Sequence, residues 1–146
     1  MDGDHQWYTA ASGTAGTAIT WTEIMRAGLS ASGAEVLSVG KSTIEDWSAT
    51  FSALQIGGNA SLMSTQVEGV SGAVYVTHNA YYDGSYRYIS TDEATQYTQQ
   101  NGNHIWNAAA SGSADSPFSW TEIMRLGITG ITIGSPVGSF KGAGTG

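Results

Sequence analysis

The hexapeptide WTEIMR occurs twice in this chain of 146 residues, at positions 21–26 and again at positions 120–125. The match extends further, because HQWYTAASGTAGTAITWTEIMRAG from His5 aligns without a gap with HIWNAAASGSADSPFSWTEIMRLG from His104. Each residue of the first copy therefore corresponds to the residue 99 positions later. Repeats that cannot cover their apolar faces alone are stabilised by stacking on neighbouring repeats. The duplication thus predicts a segment of a repeating array.

The repeat divides the chain into four parts. Residues 1–33 form a partial first module, because nothing before it corresponds to the YISTDEATQYTQQNG that precedes the second copy. Residues 34–103 form an intervening β-rich segment, residues 104–133 form the second copy of the module, and residues 134–146 form a glycine-rich tail.

Composition and charge narrow the class of protein. Charged residues make up 12% of the chain, against about 25% in ordinary domains. Five Trp and seven Tyr nevertheless supply apolar surface for an ordered structure. The net charge of −7 repels a phosphate backbone, and no apolar run has the length of a membrane span. We therefore expect no nucleic-acid partner and no membrane insertion.

The residue pattern predicts an all-β fold. The stretch 19–26 also fits a short helix with a capping box, but Trp, Thr and Ile surround it and glycine-rich turns bound it, which favours a strand. Short strands are likewise predicted at 5–10, 35–39, 50–56, 73–79, 86–89, 104–108 and 130–133, with hairpin turns at 57–59 and 83–85. One brief helix is predicted within 90–99, where Ser-Thr-Asp-Glu resembles a capping box.

The duplicated positions are predicted to serve structure, because repeated residues satisfy repeated packing and hydrogen bonding. In a regular strand Glu23 and Arg26 point to opposite faces, so we expect each to pair with a neighbouring strand or chain. The corresponding Glu122 and Arg125 carry the same expectation. The full set of repeated structural positions is His5, Trp7, Trp21, Glu23, Arg26, His104, Trp106, Trp120, Glu122 and Arg125.

No catalytic signature is present in the sequence. There is no Gly-x-Ser-x-Gly elbow with supporting His and Asp, and no phosphate-binding glycine motif ending in Lys-Ser or Lys-Thr. His78 has no metal-like spacing to the two repeated histidines, although a ring of one His from each of three chains would suit a metal. We expect no enzyme activity, no cofactor and no metal site.

The tyrosines near the turn at 83–85 are the candidate functional residues. Exposed rings of Tyr81, Tyr82 and Tyr86 would stack on sugar faces while their hydroxyl groups form hydrogen bonds. The competing interpretation is that these rings pack against each other across neighbouring strands, and it is the favoured one.

Four phrases of the sequence stand out together. They are ALQIGGNASL from residue 53, NAYYDGSYRYIS from residue 79, DEATQY from residue 92, and the order HxW…ASG…WTEIMR. Their combination resembles repeat modules in bacteriophage tail-fibre and tail-spike-like proteins. The resemblance covers nearly the whole chain and implies an elongated, intertwined homotrimeric fibre on a virion, outside the host cell.

The resemblance implies a structural segment that presents a distal host-binding part, with further copies of the chain and other fibre or tail proteins as partners. Two alternatives remain open. One is a carbohydrate-binding module that reads a bacterial surface polysaccharide. The other is a bacterial surface or filament protein that uses the same repeat.

Overall fold

The computed structural model describes residues 3–66 and 72–133, which form strands, turns and loops without a helix. The predicted all-β class is confirmed, and the predicted tail at 134–146 lies outside the described residues. The strands are β1 His5–Thr9, β2 Thr22–Leu29, β3 Glu35–Val39, β4 Phe51–Ile56, β5 Ala60–Thr65, β6 Ala73–His78, β7 Ala80–Tyr82, β8 Tyr86–Tyr88, β9 Asp92–Gln100, β10 Asn103–Gly112, β11 Pro117–Phe118, β12 Thr121–Gly127 and β13 Gly130–Ile133.

Ten of these strands form one large sheet in the order β1-β2-β3-β4-β5-β6-β9-β10-β12-β13. Every neighbouring pair is antiparallel except β3 and β4, which run parallel. The strands β7, β8 and β11 leave this sheet and form a small second sheet in the order β11-β8-β7. The predicted turns at 57–59 and 83–85 join β4 to β5 and β7 to β8 as antiparallel pairs, as expected.

The predicted helix within 90–99 is wrong, because this stretch is the central strand β9. It pairs with β6 on one side and with β10 on the other, so a helix would give up both ladders of backbone hydrogen bonds. Its burial alternates, with Ala94 and Thr98 buried and their neighbours more exposed. The Ser90 hydroxyl, expected to cap a helix, instead donates to Asn79 Oδ1 at 3.0 Å and accepts from Asn59 Nδ2 at 2.9 Å.

The main core lies between the large and small sheets. Trp47, Phe51, Met63 and Tyr81 are buried there, and Trp47 has no exposed surface. Trp47 belongs to the connection between the parallel strands β3 and β4, which needs a crossover because the chain must return to the same end of the sheet. The crossover therefore contributes Trp47, the largest buried side chain, to the core.

One buried amide holds the crossover in place. Gln55 is 2% exposed, and its Oε1 accepts from Trp47 Nε1 at 2.6 Å and from the Glu45 backbone N–H at 2.8 Å. Its Nε2 donates to the Thr43 carbonyl oxygen at 3.2 Å. Three groups of one loop thus form hydrogen bonds with a single side chain of β4. If that side chain is replaced by an apolar one, all three groups lose this partner.

We expect Gln55→Met to destabilise the fold by about 1–3 kcal/mol, because the buried Trp47 indole N–H and the partly buried Glu45 amide would lose their acceptor. Urea unfolding followed by tryptophan fluorescence measures this change. Gln99→Met, at an exposed position of β9, is the matched control and should change stability by less than about 0.5 kcal/mol. Equal losses in the two variants would contradict the assigned role of Gln55.

Candidate functional site

The two copies of the repeat form the same hairpin. β1 pairs with β2 through His5↔Ala27 and Trp7↔Met25, and β10 pairs with β12 through the corresponding residues 99 positions later. In each hairpin the register shifts after the tryptophan, so that Ile24 and Ile123 are extra residues without a partner. Such a β-bulge moves the residues beyond it to the other face of the strand.

The bulge overturns the expected separation of Glu23 from Arg26, and of Glu122 from Arg125. Arg26 Nε and Nη2 donate to the two carboxylate oxygens of Glu23 at 2.9 and 2.8 Å. Arg125 binds Glu122 by the same two nitrogens at 3.0 and 2.5 Å. The prediction that each residue pairs with another strand or chain was wrong for these partners, because the extra residue places positions i and i+3 on one face. Arg26 additionally binds Asp4 Oδ2 at 2.9 Å.

The repeated His and Trp residues occupy equivalent positions in different surroundings. In the second copy the Tyr97 ring stacks on His104 with centroids 5.9 Å apart and lies 5.2 Å from Trp106. The Tyr97 hydroxyl also hydrogen-bonds to His104 Nδ1. In the first copy His5 and Trp7 lie 6.4 Å apart on a strand whose residues are all exposed. The predicted structural role thus has visible contacts in the second copy.

The second tryptophan of each repeat shows the same difference. Trp120 packs against Tyr86 at 5.3 Å and against Phe118 at 4.7 Å. The corresponding Trp21 is 62% exposed, and Ile19, the counterpart of Phe118, is exposed as well. The first copy therefore lacks the cover that the small sheet gives to the second.

The candidate tyrosines are placed mainly by packing. Tyr81 is 6% exposed and donates to Asp115 Oδ1 at 3.1 Å, and burial, followed by this hydrogen bond, raises its pKa. Tyr82 and Tyr86 are half-buried, with their ring centroids 5.1 Å apart in an edge contact. Tyr81 thus presents no ring face to a glycan, whereas glycan contact by Tyr82 and Tyr86 stays a prediction.

The most extensive candidate surface is the side of the large sheet that faces away from the small sheet, here called the open face. Because side chains alternate along each strand, one half of every strand points to this side. Its exposed large apolar side chains are Trp7, Leu29, Leu37, Val39, Ile56, Leu62, Val74, Val76, Leu126, Ile131 and Ile133. A shallow groove of about 580 Å³ runs along it between Leu37, Leu62 and Val74.

Charge is scarce on the open face. Within the ranges 3–66 and 72–133, the strand register places only Glu35 and Glu93 as acidic side chains on it and no Lys or Arg. Arg26 and Arg125 lie on the opposite side with their carboxylate partners. The sequence alone does not reveal this surface. Apolar residues such as Leu62 and Val76 alternate with Ser and Thr, and this pattern does not tell which of the two sets is covered.

The three histidines do not converge. His78 is exposed at the end of β6, and among the residues whose positions are described no three His, Asp or Glu side chains could hold a metal ion together. Within the same part of the chain there is also no helix able to span a membrane.

Comparisons with protein-family models, with curated proteins and with solved structures found no match to this chain.

The two Glu–Arg pairs predict that stability falls in acid. Hydrogen bonds from Arg26 and Arg125 lower the pKa of Glu23 and Glu122 in the folded protein. The unfolded chain therefore takes up protons first, near the ordinary glutamate pKa of 4.5. The stabilisation is fully present above that pH and is lost as the pH falls through the lowered pKa.

We expect the double variant Glu23→Gln/Glu122→Gln to show a flatter loss of stability than the parent between about pH 5 and about pH 3. Urea midpoints measured across this range test the prediction, with Glu35→Gln as the control for removing one exposed carboxylate. Parallel curves for parent and double variant would show that the pairs contribute nothing to acid sensitivity.

Proposed function

We propose that this chain is a non-enzymatic structural segment of a phage tail fibre, which assembles with two further copies of itself and presents a distal host-binding part. The observation that carries the proposal is the open face, an apolar and nearly uncharged side of a ten-stranded sheet. Extended apolar surface of this kind typically marks an interaction site.

The size of the open face suits association. Its eleven large apolar side chains are partly exposed, so covering them contributes on the order of 1 kcal/mol each. The sum is of the same order as the roughly 4–15 kcal/mol that association costs in lost freedom of motion. Contact over most of the face is therefore needed, which favours a matching sheet over a small ligand.

The distribution of charge suits a partner of the same kind. The chain carries a net charge of −7, which disfavours contact between copies if the charge lies at the interface. Of the acidic side chains that the structure describes, only Glu35 and Glu93 lie on the open face. Two or three open faces can therefore meet without burying many like charges, as in the charge-depleted cores of protein interfaces.

The number of copies comes from the resemblance to tail-fibre repeats. Either two or three identical faces can close around a symmetry axis. The intertwined tail fibres that this chain resembles contain three chains. A virion location and contacts with other tail proteins follow from the same resemblance.

Light scattering on a sizing column tests this assembly directly. We expect the mass of three chains for the parent and the mass of one chain for the variant Leu62→Lys/Val76→Lys. Leu62 and Val76 are paired across two strands of the open face, and assembly of the variant would bury the charges of two lysines there. Ser113→Lys, at an exposed position on the loop after β10, adds a charge away from that face and should leave the mass unchanged. A parent that stays a folded monomer at high concentration would overturn the proposal.

A carbohydrate-binding module is the second candidate, because the first repeat exposes aromatic rings. Tyr8 and Trp21 are 47% and 62% exposed and together line an almost wholly apolar hollow. Aromatic faces of this type stack on sugar rings. Tyr82 and Tyr86 are by comparison half-buried and packed against each other.

If the chain binds a glycan, Tyr8→Ala/Trp21→Ala should reduce its signal on an array of bacterial polysaccharides by about tenfold or more. Tyr82→Ala tests the tyrosines of the small sheet in the same assay. A parent without signal on such an array would remove this candidate and leave the assembly proposal untouched.

A further inference from the structure

We propose that the outer edge of β1 is a docking site for an extended peptide segment with the sequence pattern of residues 92–100. The segment adds to β1 as an antiparallel strand and places a tyrosine against His5 and Trp7. The inference concerns the backbone hydrogen bonds of a sheet edge, and the tyrosine meets Trp7 at the rim of the open face.

The duplicated hairpin shows what such an edge binds. β10, the counterpart of β1, pairs on its second edge with β9 in a continuous register that includes His104↔Gln99 and Trp106↔Tyr97. No strand of the described ranges pairs with the corresponding edge of β1, which ends the sheet. An exposed row of backbone N–H and C=O groups is a template for one more strand.

The aromatic side chains at the same edge leave room for one more ring. In the second repeat the Tyr97 ring fills the space beside His104 and Trp106, with centroid distances of 5.9 and 5.2 Å. In the first repeat His5 and Trp7 keep their places on the strand, but no third ring of the described residues lies beside them, and Trp7 is 43% exposed. The missing partner is therefore a planar aromatic residue opposite Trp7, with a hydroxyl group to reach the histidine.

The backbone conformation just before β1 gives further support for a docking site at this edge. A two-residue turn with positive φ at Asn101 (52°) and Gly102 (73°) joins β9 to β10. Gly3, which corresponds to Gly102, has a φ of 75°. Two-residue turns of this kind set up antiparallel pairing. A strand joined in front of Gly3 by the same turn would lie along β1.

On the side of β1 away from His5 and Trp7, the residues differ from their counterparts in β10. This difference limits which features of a segment the β1 edge can recognise. Ile105 and Asn107 face β9 residues in the second repeat, whereas Gln6 and Tyr8 occupy these positions in the first. Recognition therefore depends on backbone pairing and on the contact of the segment's tyrosine with His5 and Trp7. The occupant is a separate polypeptide that carries this pattern, and a segment joined covalently in front of Gly3 is the alternative outcome of the second test.

The first test adds the peptide TDEATQYTQQN, the sequence of residues 91–101, to the full chain. Isothermal titration should give one peptide per chain, and amide hydrogen exchange should slow at residues 5–9. A peptide with the Tyr97→Ala change and a chain with Trp7→Ala should each bind about tenfold more weakly. Trp21→Ala removes another exposed tryptophan and should not change the affinity.

The second test joins STDEATQYTQQN directly in front of Gly3 in the full chain. We expect a higher urea midpoint than for the parent, and a smaller gain when the joined segment carries alanine in place of its tyrosine. Stabilisation only by the joined segment supports a covalent source, whereas binding of the free peptide as well supports a separate chain. Slow exchange at residues 5–9 without peptide, equal binding of a scrambled peptide, or failure of both tests would overturn the proposal.

The solution mass of the parent distinguishes this inference from the proposed function. A parent that is monomeric and still gains stability from the joined segment would keep the edge site while removing the trimer.

Discussion

The packing of the small sheet onto one side of the large sheet is the contact on which the rest of this structure depends. It is where the described residues bury their largest side chains, with Trp47, Met63 and Tyr81 between the two layers. Within residues 3–66 and 72–133 the chain supplies one such cover for a ten-stranded sheet. The strands of these ranges leave one side of the sheet uncovered and pair with neither of its outer edges.

The two copies of the repeat make this dependence visible within one molecule. Trp120 is packed by Tyr86, and Trp106 lies beside Tyr97, because residues from the intervening segment cover the second hairpin. The same tryptophans of the first hairpin are exposed at 62% and 43%. Since the two hairpins share register and bulge, their difference in burial comes from the residues that cover the second copy, among them its own Phe118 where the first copy has Ile19.

The open face and the β1 edge call for different partners. The face offers apolar area, whose coverage is favourable with little directional preference. The edge offers a row of backbone N–H and C=O groups, which suits an extended segment. Used together, they would extend the sheet from unit to unit and hold copies of the chain side by side. This combination accords with the resemblance to tail-fibre repeats.

The sequence by itself determined the all-β class, the duplication and most strand positions, because alternation of apolar residues and glycine turns are local properties of a chain. The segments at 35–39, 50–56 and 130–133 show this, since each is found within one residue of its predicted bounds. The predicted helix within 90–99 failed because its capping signal is also local, whereas pairing on both sides of β9 is not.

Tertiary structure alone decided the pairing of Glu23 with Arg26 and the burial of Tyr81. The first depends on a bulge that exists only when β1 lies beside β2, and the second depends on the placement of the small sheet. Tertiary structure also decided which side of the large sheet stays open. Alternation separates two sets of side chains, but only the position of the second layer determines which set is covered.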